Sequence, residues 1–178
     1  MRTGKSQIAR RFNALTGVSY VSTDDLFAML GVAAPSLKIG WDSGNTWQEN
    51  RRKLAPFVAG LARDRVRDAS PLLIEGELLP DMVGSLLRES GGKARACFVG
   101  NSAMDLEDKV RILEDWSASR GDWLSGKPHA EFEWAARECI EASAEYQAAA
   151  EELGIPFFDL SSEWEPAVGR VIGYLADV

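Results

Sequence analysis

Three residues near the start constrain the chain most. Gly4-Lys5-Ser6 supplies the last three positions of the phosphate-loop pattern G-x-x-x-x-G-K-[ST], which is set between a strand and a helix. Gln7 to Leu15 follows with Ile8, Phe12 and Leu15 at helical spacing, which predicts the helix that such a loop opens. The residue types suit the task. Glycine lets backbone N–H groups come close to a phosphate, and a helix N-terminus favours an anion. Lys5 is expected to reach the terminal phosphates, with Arg2, Thr3 and Gly4 in the loop around them and the Ser6 hydroxyl as a Mg²⁺ ligand. The tripeptide is short, and an ordinary helix start accounts for it as well. The first glycine of the full pattern and the strand that normally carries the loop would fall before Met1.

The remaining composition narrows the classes. A length of 178 residues suits one domain with a proper core. The net charge of −7 argues against nucleic acid or an anionic membrane as the main partner. Cys97 and Cys139 lie far apart in apolar contexts, which reads as buried free thiols in a reducing cytoplasm rather than a disulfide. The lone His129 leaves little room for a histidine metal site or triad. No signal peptide is recognisable, and no apolar run is long enough to span a bilayer. A cytoplasmic monomer or homodimer is expected.

Strand and helix signals alternate along the chain. Val18 to Ser22 is β-rich and ends in Thr23-Asp24-Asp25-Leu26. Acids at the carboxyl end of a strand sit where ligands bind in open α/β sheets. Thr23 or Asp24 would also serve as a helix N-cap. Residues 31–68 form the expected substrate-binding segment: a glycine-rich loop from Gly31 to Asn45 with Trp41 and Asp42, then a helix from Thr46 to Arg67 containing Trp47 and Pro56. Trp41 would line a pocket or pack over the next helix. Arg51-Arg52-Lys53 reads as a solvated face or, more sharply, as a site for a substrate anion. Leu72-Leu73-Ile74-Glu75-Gly76 reads as a buried parallel strand. Glu75 at its end needs a partner, either Mg²⁺ through water or a lysine. Ala94 to Val99 and Phe157 to Leu160 are the remaining strands. Residues 117–128 form a glycine-containing loop carrying Arg120. This alternation implies a mostly parallel sheet covered on both faces.

In this order the pieces resemble the small-molecule kinases of the P-loop class, the adenylate-kinase-like, shikimate-kinase-like and chloramphenicol-phosphotransferase-like enzymes. Gly4-Lys5-Ser6 resembles their phosphate loop and Ser22 to Leu26 the acidic end of their second strand. Leu73 to Gly76 is similar to their third strand with its carboxylate. Ser119-Arg120-Gly121-Asp122 is similar to an arginine-bearing lid, and Ile155 to Ser161 to their last strand. The resemblance spans nearly all of residues 1–178 as a single domain. It implies a three-layer α/β/α P-loop NTPase fold whose first strand, central in that family, would precede Met1. Either the true chain starts upstream or it is a shortened relative.

The function so implied is transfer of the γ-phosphoryl group of ATP to a hydroxyl of a small molecule, with Mg²⁺. Lys5 would hold β/γ-phosphate oxygens. Ser6 would bind the metal, supported through water by Asp25 or Glu75. Asp24 would accept or orient the hydroxyl proton, and Arg120 would close over the phosphates. Trp41 and Arg51 would shape the acceptor pocket. Two other readings stand beside it: a non-catalytic nucleotide-binding or interaction protein, and a P-loop NTPase that hydrolyses nucleotide to drive motion.

Overall fold

A computed structural model describes residues 3–41 and 43–177, and of Arg120 the backbone alone. Arg2 and Asp42 thus lie outside the described residues. The chain divides into two compact units. One spans Gly4–Ala96 and takes in the C-terminal segment from Val171; the other spans Cys97–Arg170 and takes in Thr3.

In the first unit, helix α1 (Lys5–Thr16) is bracketed by two glycines in the left-handed region, Gly4 at φ 87° and Gly17 at φ 73°. It buries Ile8, Ala9 and Phe12, whereas Leu15, expected on the same stripe, is exposed. Strand β1 (Tyr20–Ser22) leads straight into α2 (Thr23–Ala33). The cap of α2 is neither Thr23 nor Asp24 but Ser22, whose hydroxyl accepts from the Asp24 N–H at 3.2 Å. A cap residue keeps extended dihedrals, and the last residue of a strand already has them. The helix also runs further than expected, to Ala33, before a 3₁₀ turn at Pro35–Leu37.

Helix α3 (Trp47–Arg67) opens with a full capping box, Thr46 and Glu49 each bonding the other's backbone N–H. Pro56 lies inside it. Strand β2 (Leu73–Glu75) then pairs in parallel with β1, Tyr20 opposite Leu73 and Ser22 opposite Glu75. Both strands therefore deliver their polar ends, Ser22 and Glu75, at one edge. Helix α4 (Pro80–Glu89) follows, with proline at its first position, where a missing N–H costs nothing. Phe27, Leu30, Ile39, Leu54 and Val58 form the core, with Ile74, Leu78 and Leu86 packed against it. Each such side chain contributes about 1.5–3 kcal/mol by leaving water.

In the second unit, β3 (Phe98–Gly100) pairs in parallel with β4 (Phe157–Asp159), Phe98 opposite Phe157 and Gly100 opposite Asp159. Between them run α5 (Leu106–Arg120) and α6 (His129–Leu153). The last helix, α7 (Trp164–Ala176), begins in this unit. Gly100 leaves no room for a side chain: a Cβ there would meet the Phe157 ring at 2.6 Å and Ser143 Cβ at 2.9 Å. Val110, Leu113, Leu124, Phe132, Ala135 and Ala136 form the core.

The region 117–128 departs from its expected form. Helix α5 continues through Ser117 and Arg120 until Gly121 ends it at φ 62°, because no breaker precedes that glycine. Arg120 is thus the last residue of a helix, not a loop residue. The turn beyond is pinned. Asp122 Oδ1 accepts from Ser117 Oγ at 3.0 Å and from the Leu124 N–H at 2.8 Å, and Leu124 is fully buried.

The architecture is therefore α/β, with two parallel two-stranded sheets, β1-β2 and β3-β4, where the alternating pattern implied one mostly parallel sheet. Among the described residues no further strand extends either pair. No helix among them is long and apolar enough to cross a membrane.

Candidate functional site

The residues singled out around the Gly-Lys-Ser run converge within the first unit. Gly4 adopts a left-handed backbone that only glycine takes without strain, and its carbonyl accepts from the N–H groups of Gln7 and Ile8. Helix α1 so begins at Lys5 with no side chain capping it. Thr3, which the second unit takes in, is buried, and its hydroxyl has no hydrogen-bond partner.

Two carboxylates meet this helix start, from either side of one glycine. Glu75, buried at the end of β2, accepts a hydrogen bond from Ser6 Oγ at 3.1 Å. Its partner is thus a hydroxyl rather than a lysine. Lys5 goes instead to Glu77, Nζ to Oε1 at 3.6 Å. Gly76 between them has φ 148°, and a Cβ there would fall 1.7 Å from Thr23 Oγ1. Only a bare backbone fits against Thr23, and this packing sends the two acids to different partners.

The other side of the cluster comes from α2 and α3. Arg51 is nearly sealed from solvent, its side chain 3% exposed. Its Nη2 lies 3.3 Å from Asp24 Oδ1 and 3.5 Å from Glu77 Oε2. Its Nε and Nη1 are buried with no hydrogen-bond partner. The guanidinium lies 5.3 Å from the centre of the Phe27 ring and 5.8 Å from that of Trp47, close enough for cation–π attraction. Trp47 donates from Nε1 to Glu77 Oε2 at 3.0 Å. Trp41 is exposed and stands edge-on to Phe27 at 4.9 Å, so it packs on α2 at the border of this cluster. Asp24 is 58% exposed, free to meet a ligand on its outer face.

Two predicted members are not brought in. Asp25 is exposed on α2 and takes no part in the hydrogen bonds around Ser6. The side chain of Arg120 is outside the described residues. One member had not been singled out: Glu77. Its signal in the sequence is the acid-glycine-acid run Glu75-Gly76-Glu77.

Among the described residues no group of three or more His, Cys, Asp or Glu is arranged to hold a metal. Ser6 and Glu75 offer one hydroxyl and one carboxylate, a donor set that fits a hard cation arriving with phosphate oxygens rather than a resident ion.

The second unit holds a separate polar cluster at the carboxyl ends of β3 and β4. A cavity of about 560 Å³ there is lined by Met104, Asp105, Asp108, Phe158, Asp159 and Arg170, among others. Burial opposes ionisation of Asp159, but hydrogen bonds from Ser102 at 2.6 Å, the Ser161 N–H at 2.7 Å and the Ala103 N–H at 3.1 Å outweigh it and hold the carboxyl below its ordinary range. Both cysteines are free thiols, and burial pushes Cys97 up to about 12. No protein family, curated protein or solved structure matches the chain.

Proposed function

We propose that this protein is a P-loop phosphotransferase that moves the γ-phosphoryl group of ATP to a hydroxyl of a small molecule. The observation that carries the reading is the meeting of Lys5 and Ser6, at an uncapped helix start after a left-handed glycine, with Glu75 and Glu77 from the end of a parallel strand. The three-layer fold with a central first strand belongs to the same reading. What supports it is that each unit pairs its two strands in parallel, β1 with β2 and β3 with β4.

Charge supports a metal-dependent donor. Among the described residues the cluster sets two cations, Lys5 and Arg51, against three carboxylates, Asp24, Glu75 and Glu77. A triphosphate entering unaccompanied would meet net negative charge. Mg²⁺ bound with the nucleotide would neutralise phosphate charge, with Ser6 as its ligand from the protein and Glu75 reaching it through water.

The acceptor side is Asp24 and Arg51. A buried guanidinium with unpartnered N–H groups is costly, and an oxygen of the acceptor placed there would offset that cost. Asp24 would take the hydroxyl proton as the hydroxyl oxygen bonds to the γ-phosphorus. The bond from that phosphorus to the β–γ bridging oxygen breaks, and its electron pair leaves on ADP. A non-catalytic nucleotide-binding protein is the second reading, favoured by the ion pair that already occupies Lys5.

A thermal-shift screen with nucleoside triphosphates and Mg²⁺, followed by a panel of hydroxyl acceptors, tests the proposal. ATP with Mg²⁺ should raise Tm by several degrees at saturating concentration, and Lys5→Ala should remove most of that rise measured from its own nucleotide-free Tm. Binding without transfer to any acceptor would favour the second reading. No shift with any nucleotide, or a Lys5→Ala variant that binds like wild type, would sink the phosphate-loop assignment.

A further inference from the structure

Glu77 is the residue at which the two sides of the cluster join. Its Oε1 faces Lys5 Nζ at 3.6 Å, while its Oε2 faces Trp47 Nε1 at 3.0 Å and Arg51 Nη2 at 3.5 Å. The carboxylate is only 11% exposed, so its partners are not exchanged freely with water. Its position is set by the backbone, since Gly76 is wedged against Thr23. Lys5 stands on the donor side, at the start of α1, and Arg51 on the acceptor side, in α3. Arg51 in turn holds Asp24.

A carboxylate and a phosphate oxygen compete for the same ammonium group. We propose that Glu77 is a positioning residue that couples nucleotide binding to the acceptor pocket, a role that rests on the phosphotransferase reading above. Without nucleotide, the partners that share its charge include Lys5, Arg51 and Trp47. When phosphate takes Lys5, more of the charge of Glu77 falls on Arg51 and Trp47. Arg51 then shifts its pairing from Asp24 to Glu77, and Asp24 is released to accept a hydroxyl proton. The acceptor pocket is thereby readied only when the donor is in place, which guards against nonproductive occupancy. The same exchange tightens the N-terminal turn of α3, where Trp47 sits, so the indole reports it.

The test uses Mg²⁺ with an ATP analogue whose β–γ bridge is an imido group. Calorimetry gives its affinity and tryptophan fluorescence gives the response, for wild type, Glu77→Gln, Glu77→Asp and Trp47→Phe. Circular dichroism melting checks that each variant folds. Wild type should bind with a change in emission that Trp47→Phe lacks. Glu77→Gln removes the competitor for Lys5 and should bind about fivefold tighter, with the emission change largely lost. Glu77→Asp should restore the response at least in part. If Glu77→Gln does not fold, the comparison of Glu77→Asp and Trp47→Phe decides: Trp47→Phe leaves Glu77 more fully on Lys5 and should weaken binding. Equal affinity and emission change in wild type and every Glu77 variant, with analogue shown bound, would overturn the coupling alone. Failure of wild type to bind the analogue at millimolar concentration would overturn the phosphotransferase reading, and the coupling with it.

Discussion

Ser6 and Glu75 stand 69 positions apart in the chain, yet the hydroxyl of the first donates to the carboxylate of the second at 3.1 Å. One opens a helix and the other closes a strand. Ser6→Ala removes the hydroxyl and leaves Glu75 without its partner. The expected outcome is a loss of about 1–2 kcal/mol in stability, read by denaturant melting. Nucleotide affinity should also become nearly independent of Mg²⁺. Retained Mg²⁺ dependence in calorimetry would remove Ser6 from the metal's environment.

Asp24→Asn separates chemistry from structure. The cap of α2 is Ser22, so Asp24 is not needed to start the helix, and Asn keeps an oxygen that can accept from Arg51 Nη2 as Asp24 Oδ1 does. The melting temperature should stay near wild type and nucleotide binding should persist. Phosphoryl transfer to an accepted hydroxyl should fall by about two orders of magnitude or more. A wild-type transfer rate would leave Asp24 as a partner of Arg51 only.

Gly76→Ala should be the most damaging single methyl in the first unit. The added carbon would overlap Thr23, and the backbone at φ 148° is one that side chains rarely adopt. The expected cost is roughly 3 kcal/mol or more, measured as a drop in denaturant midpoint. Thr23→Gly in the same chain should recover part of it by clearing the overlap. A Gly76→Ala variant as stable as wild type would mean that the turn is not as described.

Acid should weaken the second unit through Asp159. Its folded value lies below the ordinary 3.8, so the ionised form is favoured by folding. The contribution is present above the ordinary value and lost as pH falls through the depressed one. Melting curves between pH 6 and pH 2 should show stability declining at the acid end, with a shallower decline in Asp159→Asn. Parallel declines in the two proteins would assign the acid limb to other carboxylates.

The sequence was most legible where the physics is local. Thr46 and Glu49 sit three apart, so the start of α3 could be read from spacing alone. Gly17 and Gly154 both adopt left-handed backbones at helix ends, as their positions suggest. Gly4-Lys5-Ser6 and Glu75 were visible as types at plausible places. What could not be read were pairings across the chain. Whether Glu75 meets Ser6 or Lys5 depends on how Gly76 packs on Thr23, a contact between residues 53 positions apart that no periodicity encodes. The end of α5 was misplaced for a related reason. Ser117 to Arg120 is polar and resembles a loop in composition, yet the helix holds because its breaker, Gly121, comes later.

The buried Leu124 sets a limit on how often the turn after α5 can let go. Its side chain is wholly enclosed among Val110, Leu113 and Phe132. Drawing it into water costs about 2–3 kcal/mol, which puts the opened turn between roughly one molecule in thirty and about one in a hundred and sixty at any moment. Any movement of this region at appreciable population must carry the ends of α5 and α6 along with it as one piece, and its tempo is then that of two helices shifting, not of a loop flickering.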